Sequence, residues 1–450
     1  MRRFSRTLAL AAGLLVSAQP ALADDLVSIL ELAMRNDPTL RQAHAQLRSG
    51  QQQLALARSS LLPQATASYS EQRQAAGPEG IVDLTSLDAE ATRYGVNISQ
   101  ALLNLPNWYS YQGAKEADQA RLFNFAAQEQ ALIIRVASAY FNVLRNIDQL
   151  DTRHQEEEAS QREFERTQQR EEVGLVAITE VYEAQAVYDL ARNNTILSED
   201  ALASSYEALE AITGQPHPNI DILNEEFPIV EAEGSMDNWV NEALDNNPQL
   251  LAARYSVEAQ AQIAKARSSE RWPTVNLQGG YSNSETNTGQ GTDGSQRFVG
   301  AIEGVSVAVS ISIPLYTGHA LTARRQQAEY DLVAQQEQAN LIRRTTTQDI
   351  RNAFRRVNTD ALVIAQRQQA IVSAEAALNA IEAGYEVGTR NIVDVLQARQ
   401  QQFVALRNYS DARYNYVLDT LELKRTAGVL TPQDIIDLNE WLVTEAAAAQ

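Results

Sequence analysis

The chain of 450 residues has no cysteine, which excludes disulfide staples, thiolate metal sites, thiol nucleophiles and lipid attachment at a cysteine. Proline and glycine are sparse, at 12 and 20 residues, and with 44% hydrophobic residues the composition excludes a disordered chain. Basic residues are outnumbered, 37 Lys and Arg against 57 Asp and Glu, and the formal net charge of −20 excludes a general nucleic-acid binder, whose phosphate contacts need a basic surface. Long apolar runs are missing as well. Beyond the N-terminus the most apolar stretch, Ala131 to Leu144, is interrupted by Arg135, whereas a spanning helix needs about 20 apolar residues. A chain of this kind can enter a membrane only with β-strands.

Catalytic and metal motifs are also lacking. His44, His154, His217 and His319 lie far apart without metal-ligand spacing, so solvated or interfacial positions are expected for them and no metal. Gly289-Gln290-Gly291-Thr292-Asp293-Gly294 matches the dinucleotide fingerprint in letters alone, because it lies in a polar loop before a strand instead of opening a helix. Neither GxSxG nor a P-loop is present, and the sequence points to no enzyme and no cofactor.

What is present begins with a targeting signal. Met1-Arg2-Arg3-Phe4-Ser5-Arg6 is a basic start, Leu8 to Val16 a short apolar core, and Ala21-Leu22-Ala23 a small-x-small cleavage site, so residues 1–23 read as a secretory signal peptide.

The remainder is two copies of one plan. Asn36-Asp37-Pro38 recurs as Asn246-Asn247-Pro248, and Glu172-Val173-Gly174 with Ile178, Glu180 and Val181 recurs as Glu386-Val387-Gly388 with Ile392, Asp394 and Val395, 214 positions later. Gly214 meets Gly428 at the same offset, marking a domain-sized duplication and not a short solenoid repeat. The reading divides the chain into an opening helix at 24–62, a β-hairpin at 63–104, a long helical hairpin at 105–213 and an equatorial linker at 214–235. The second copy follows with a helix at 236–272, a hairpin at 273–317, a helical hairpin at 318–427 and a closing segment at 428–450. Asp37-Pro38 and Asn247-Pro248 mark either a helix start or a kink between two helices.

Period-two alternation identifies the strands. Val305, Val307, Val309, Ile311 and Ile313 alternate with Ser306, Ala308, Ser310 and Ser312, and Val275, Leu277, Gly279 and Tyr281 form a second series. The first copy repeats this more weakly with Ala65, Ala67, Tyr69 and Tyr94, Val96, Ile98, the connecting loops being Ala75 to Ala91 and Thr286 to Gly300. In the helical tract, Leu122, Ala126, Glu129, Ile133, Val136, Tyr140, Val143, Ile147 and Leu150 alternate spacings of four and three, a coiled-coil seam. Glu156 is expected on an exposed face of the same tract. Four strands cannot close in lipid, so copies must assemble; two would give a filled eight-stranded barrel and three a twelve-stranded one with a lumen. The small Ser and Ala face favours three.

The duplicated plan, the tract Val173-Gly174-Leu175-Val176-Ala177-Ile178-Thr179-Glu180-Val181 and the tract Ala383 to Leu396, with Gly384-Tyr385-Glu386-Val387-Gly388-Thr389-Arg390-Asn391 inside it, resemble the TolC-type outer-membrane efflux channels. The resemblance implies an α+β membrane protein: a homotrimeric channel-tunnel with a twelve-stranded barrel in outer-membrane lipid and a periplasmic α-helical barrel closed at its far end. It implies the exit duct for inner-membrane transporters joined through a periplasmic adaptor protein, serving efflux or type I secretion. It also implies that Tyr385 and Arg390 bond to Gly174, Thr179 and Glu180 to hold the entrance shut, and that Asp394 forms an inner acidic ring. Gln397 stands where the family carries a second acid, and Glu180 where it has an aspartate. The competing class is a periplasmic coiled-coil adaptor of an efflux pump, which would carry one helical hairpin between small β-domains instead of two separated by strand pairs.

Overall fold

The structure, a computed structural model, describes residues 25–74, 89–288 and 299–443; the signal peptide, the glycine-rich tract at 289–294 and residues 444–450 lie outside them. The first copy comprises α1 (Leu26–Asn36), α2 (Pro38–Ser59), β1 (Gln64–Gln74), β2 (Ala89–Leu103), α3 (Leu105–Glu172) and α4 (Ile178–Thr213). After β3 (Ile222–Leu223) the second comprises α5 (Met236–Asn246), α6 (Pro248–Ser269), β4 (Thr274–Thr288), β5 (Val299–Ser312), α7 (Ala320–Glu386) and α8 (Ile392–Ala427), followed by α9 (Pro432–Asn439) and β6 (Leu442–Val443).

Asp37-Pro38 and Asn247-Pro248 are the joints between paired helices. Proline lacks the N–H that would continue the first helix, and each preceding side chain caps the second, Asp37 accepting from Leu40 N at 2.6 Å and Asn247 from Leu250 N at 3.0 Å. The buried Asp37 carboxylate is also paired with Arg135 of α3 at 3.0 Å, so the joint is pinned to the long helix. At 1.5 Å per residue the 68 residues of α3 span about 100 Å. Laid end to end, α2 with α4, of 22 and 36 residues, come near that length, as do α6 with α8.

The four long strands form one antiparallel sheet in the order β1-β2-β4-β5. Directly opposed residues share a face, which gives the rows Ala67-Val96-Tyr281-Val305 and Ala65-Ile98-Gly279-Val307 on one side. The other side carries Thr66-Asn97-Gly280-Ser306 and Gln64-Ser99-Gln278-Ala308. The apolar face is bare: Val305, Val307, Val309 and Ile311 are 60–80% exposed. The ladder reaches further into the expected loops, to Ala89, Thr288 and Val299, because β2 and β4 keep pairing beyond the alternating residues. No helix among the described residues is long and apolar enough to cross a membrane.

The main core lies midway along the rods, where α1, α5, α9 and the β3-β6 pair wrap α3, α7 and α8. Tyr140 is fully buried and donates its hydroxyl to Asp221 O at 2.6 Å, while Tyr416 donates to Val230 O and accepts from Val230 N. The seam residues Ile133, Val136, Tyr140 and Val143 are buried there, but Leu122 and Glu129 toward the sheet are exposed, because a single chain covers α3 fully only at the waist. Gly214 and Gly428 end α4 and α8 with φ of 76° and 80°; at Gly428 a Cβ would stand 2.5 Å from Asn246 O, so glycine is needed there for space as well as for φ. Two expectations fail here. Glu156 is buried, and so is His217, whose Nε2 lies 2.9 Å from Thr213 Oγ1. α8, remote in sequence, reaches Glu156 through Arg407.

On the α7–α8 pair Asp360 faces Asp419. Burial, then the hydrogen bond and charge of Asp419, push the Asp360 carboxyl up to about 6 against the pull of Arg356. An unfolded aspartate titrates at about 3.9, so between about pH 4 and 6 the folded state holds a proton that the unfolded one has lost; the contribution to stability is full below about pH 4 and is lost as pH rises through about 6. Asp360→Asn removes the charge and is expected to unfold about 2–4 °C higher than the parent at pH 7.5, with no gain at pH 4, in thermal melts of the purified protein.

Candidate functional site at the helix reversals

Both long hairpins reverse at the end remote from the sheet, and both do so on a glycine. Gly174 has φ of 73° and Gly388 of 79°, a left-handed conformation that lets the chain turn back within a few residues. In the first reversal Gly174 N donates to Glu171 O and Leu175 N to Arg170 O. In the second, Thr389 N and Arg390 N both donate to Gly384 O, the Thr389 hydroxyl adds a third bond there, and Asn391 caps α8 by accepting from Asp394 N. The second reversal is thus the more tightly bonded.

Tyr385 joins the two. Its ring is buried with Ile392, Val395 and Leu396, beside Val187 and Ile381, and its hydroxyl donates to Glu180 Oε2 at 3.2 Å. The Arg170 guanidinium lies 4.8 Å from the ring centroid, a cation over the π face. Burial raises the phenol above its ordinary range, the Arg170 charge opposes this, and Glu180 adds to it. The phenol therefore stays protonated as a donor.

Arg390 is placed differently from the expectation. Its ion pair is with Asp394, one turn along at 3.8 Å, and not with Glu180. Both groups are substantially exposed, so this pair is worth at most about 1 kcal/mol. Thr179 is exposed next to Glu180, and the outer surface of Gly174 is open. The structure therefore brings together Tyr385 with Glu180, and Arg390 with Asp394; it does not join Arg390 to Gly174 or Thr179 within one chain.

Above this layer lies a network that sequence reading missed. Arg399 of α8 pairs with Glu163 of α3 at 3.3 Å, with Glu382 of α7, and donates to Ala159 O. Arg407 pairs with Glu156 at 2.9 Å, and Arg153 joins the same carboxylate at 2.8 Å. Burial lowers the Arg407 pKa and the Glu156 charge opposes that shift. The signal available in sequence was the duplication, since at the 214 offset Glu156 and Glu163 become Ala370 and Ala377, while Arg399 and Arg407 become Gln185 and Asn193. Among the described residues no cluster of His, Asp or Glu could hold a metal ion.

The Outer membrane efflux protein family model matches residues 29–215 and 239–429, once for each copy of the plan. Outer membrane protein TolC of Vibrio cholerae is 35% identical over 425 residues, covering 93% of this chain and 94% of that protein. Alkaline protease secretion protein AprF of Pseudomonas aeruginosa is 27% identical over 432 residues, covering 94% and 88%. The crystal structure of the Campylobacter jejuni CmeC outer membrane channel superposes with a TM-score of 0.75 at 17% identity, covering 93% of this chain and 90% of that one.

The buried Arg399 tie is the most exposed to a single change. Arg399→Ala leaves the Glu163 carboxylate, which is 3% exposed, with only the largely solvated Arg166 at 3.7 Å, and breaking a buried pair costs up to about 3–5 kcal/mol. Amide exchange in the lower parts of α3 and α8 is expected to accelerate about 100-fold or more, and pairing Arg399→Gln with Glu163→Gln to restore most of the protection.

The glycine-turned reversals, the sheet with one apolar and one small polar face, and a family match that covers both copies lead to one conclusion: the chain belongs to the outer membrane efflux protein family.

Proposed function

We propose that three copies of the chain close into one conduit, a twelve-stranded barrel in the outer membrane continued by a helical tube into the periplasm, and that the two reversals are its entrance gate. The observation that carries this reading is the four-stranded sheet, apolar on one face, small and polar on the other, and unpaired at β1 and β5. In hydrocarbon those edges must be hydrogen bonded. Three sheets edge to edge satisfy them and leave a polar lumen, whereas two would leave the small residues facing a space that side chains must fill.

The protein is an outer-membrane exit duct for efflux and secretion, with a large periplasmic part. Channels of this family are not enzymes, and the reading assigns no catalysis. Partners are assigned by chemistry. The reversals expose Val173, Leu175, Ile178 and Val387, an apolar tip suited to the end of a periplasmic adaptor, which in turn would bring an inner-membrane transporter.

At the gate, the Tyr385 to Glu180 bond holds the second reversal against the first, and Arg390 sits over Asp394. Asp394 would face the axis three times, each copy partly neutralised by its own Arg390. Tyr385→Phe is then expected to raise conductance in planar bilayers by removing the tie. Arg390→Ser is expected to raise both conductance and cation preference, because it uncovers the acid, and Asp394→Asn to lower cation preference. Unchanged reversal potentials in both of the last two variants would show that Asp394 does not line the path. Outer-membrane fractionation and light scattering of the detergent-purified protein test the assembly itself, with a trimer as the expected mass.

A further inference from the structure

The duplication places the two copies side by side in equivalent surroundings. Within the chain, α6 lies between α3 and α7, and α8 lies against α3. By the same pattern α2 should lie between two long helices and α4 against one, yet α2 has α3 alone, and α7 lacks on its open side what α8 gives to α3. The sheet agrees: β2 pairs with β4, and β5 and β1 are left as its edges. The contact between first and second copy inside the chain is therefore a template for the contact between the second copy and the first copy of a neighbouring chain.

Carrying each contact of the α3–α8 seam forward by the offset of 214 gives the residues of that second seam. The Phe141 and Tyr414 rings, 6.0 Å apart, become Arg355 and Asp200. Asp148, which accepts from the Ser410 hydroxyl, becomes Leu362, and Ser410 becomes Ile196. Gln149 and Asp411, bonded at 3.0 Å, become Val363 and Leu197. The buried pair Glu156 and Arg407 becomes Ala370 and Asn193, and Glu163 with Arg399 becomes Ala377 and Gln185.

A second observation supports the mapping. The in-chain members are buried or half-buried, whereas Arg355, Asp200, Leu362, Ile196, Leu197, Ala370 and Ala377 are all exposed in the single chain. Leu362, Ile196 and Leu197 are 57–62% exposed, large apolar side chains bare on the open faces of α7 and α4. Further up, Arg351 and Arg355 of α7 run antiparallel to the exposed Glu207 and Asp200 of α4 when laid in this register.

We propose that α7 of one protomer docks on α4 of a second copy in this register, with Arg351 and Arg355 meeting Glu207 and Asp200 near the waist and Leu362 and Val363 meeting Ile196 and Leu197 below. The chemistry is the reverse of the in-chain seam, which is aromatic near the waist and ionic below. A face built for one seam is mismatched to the other: docking α7 on a second α8 would set Arg355 on Tyr414 and Leu362 on Ser410. The inversion fixes which copy follows which around the ring.

The proposal rests on the trimer reading above, and the test separates the two. Because the chain has no cysteine, a bond between introduced ones is unambiguous. Leu362→Cys combined with Ile196→Cys is expected to give a covalent trimer on oxidation, reversed by reductant. The in-chain equivalent, Asp148→Cys with Ser410→Cys, should form a bond without a change in mass. Independently, Arg355→Asp should lower the ratio of trimer to monomer in detergent at low salt about tenfold or more, and adding Asp200→Arg to the same chain should restore it. A trimer by light scattering that yields neither the covalent trimer nor the rescue overturns this seam alone. A monomeric parent protein overturns the trimer as well.

Discussion

A peptide group facing hydrocarbon has no water to bond with, so every N–H and C=O in a membrane-crossing segment must find its partner in protein. The chain meets this with four strands whose two outer members are open, and the demand on those edges governs the rest of the molecule. It makes a solitary protomer incomplete. It also explains why apolar residues are bare in two places that would otherwise be faults of packing: the outer face of the sheet, which lipid would cover, and the open sides of α4 and α7, which a second copy would cover.

Duplication supplies the geometry that closure requires. Two copies of one plan, rotated to neighbouring positions, need only a small set of substitutions to turn a repeated contact into two distinct ones. The copies differ in chemistry where they meet. Glu156, Glu163, Arg399 and Arg407 build a buried ionic layer inside the chain, and their counterparts are small or neutral. At the reversals the same logic makes one turn a donor and the other an acceptor, through Tyr385 and Glu180.

Much of this was legible in the sequence because it is carried by local pattern. Alternation in β5, the left-handed glycines 174 and 388, and the Asp37-Pro38 and Asn247-Pro248 joints each follow from residues near in the chain. The burial of Glu156 was not legible, since it depends on Arg407 of α8, 251 positions away. The choice of Asp394 over Glu180 by Arg390 turns on rotamers one helical turn apart, below the resolution of any spacing argument. Only the comparison of one copy with the other, charge against neutral, carried a trace of the buried layer.

Equal lengths run through the structure: α1 and α5 have 11 residues, α2 and α6 have 22, α4 and α8 have 36. Inserting one residue in a helix turns everything beyond it by about 100° and advances it about 1.5 Å. In a bundle where each rod meshes with two or three others, that single change puts apolar residues toward solvent along the remaining length and throws the two reversals out of level. A rod can therefore lengthen only in step with all its neighbours. The distance from membrane to entrance is thereby inherited as a fixed gauge.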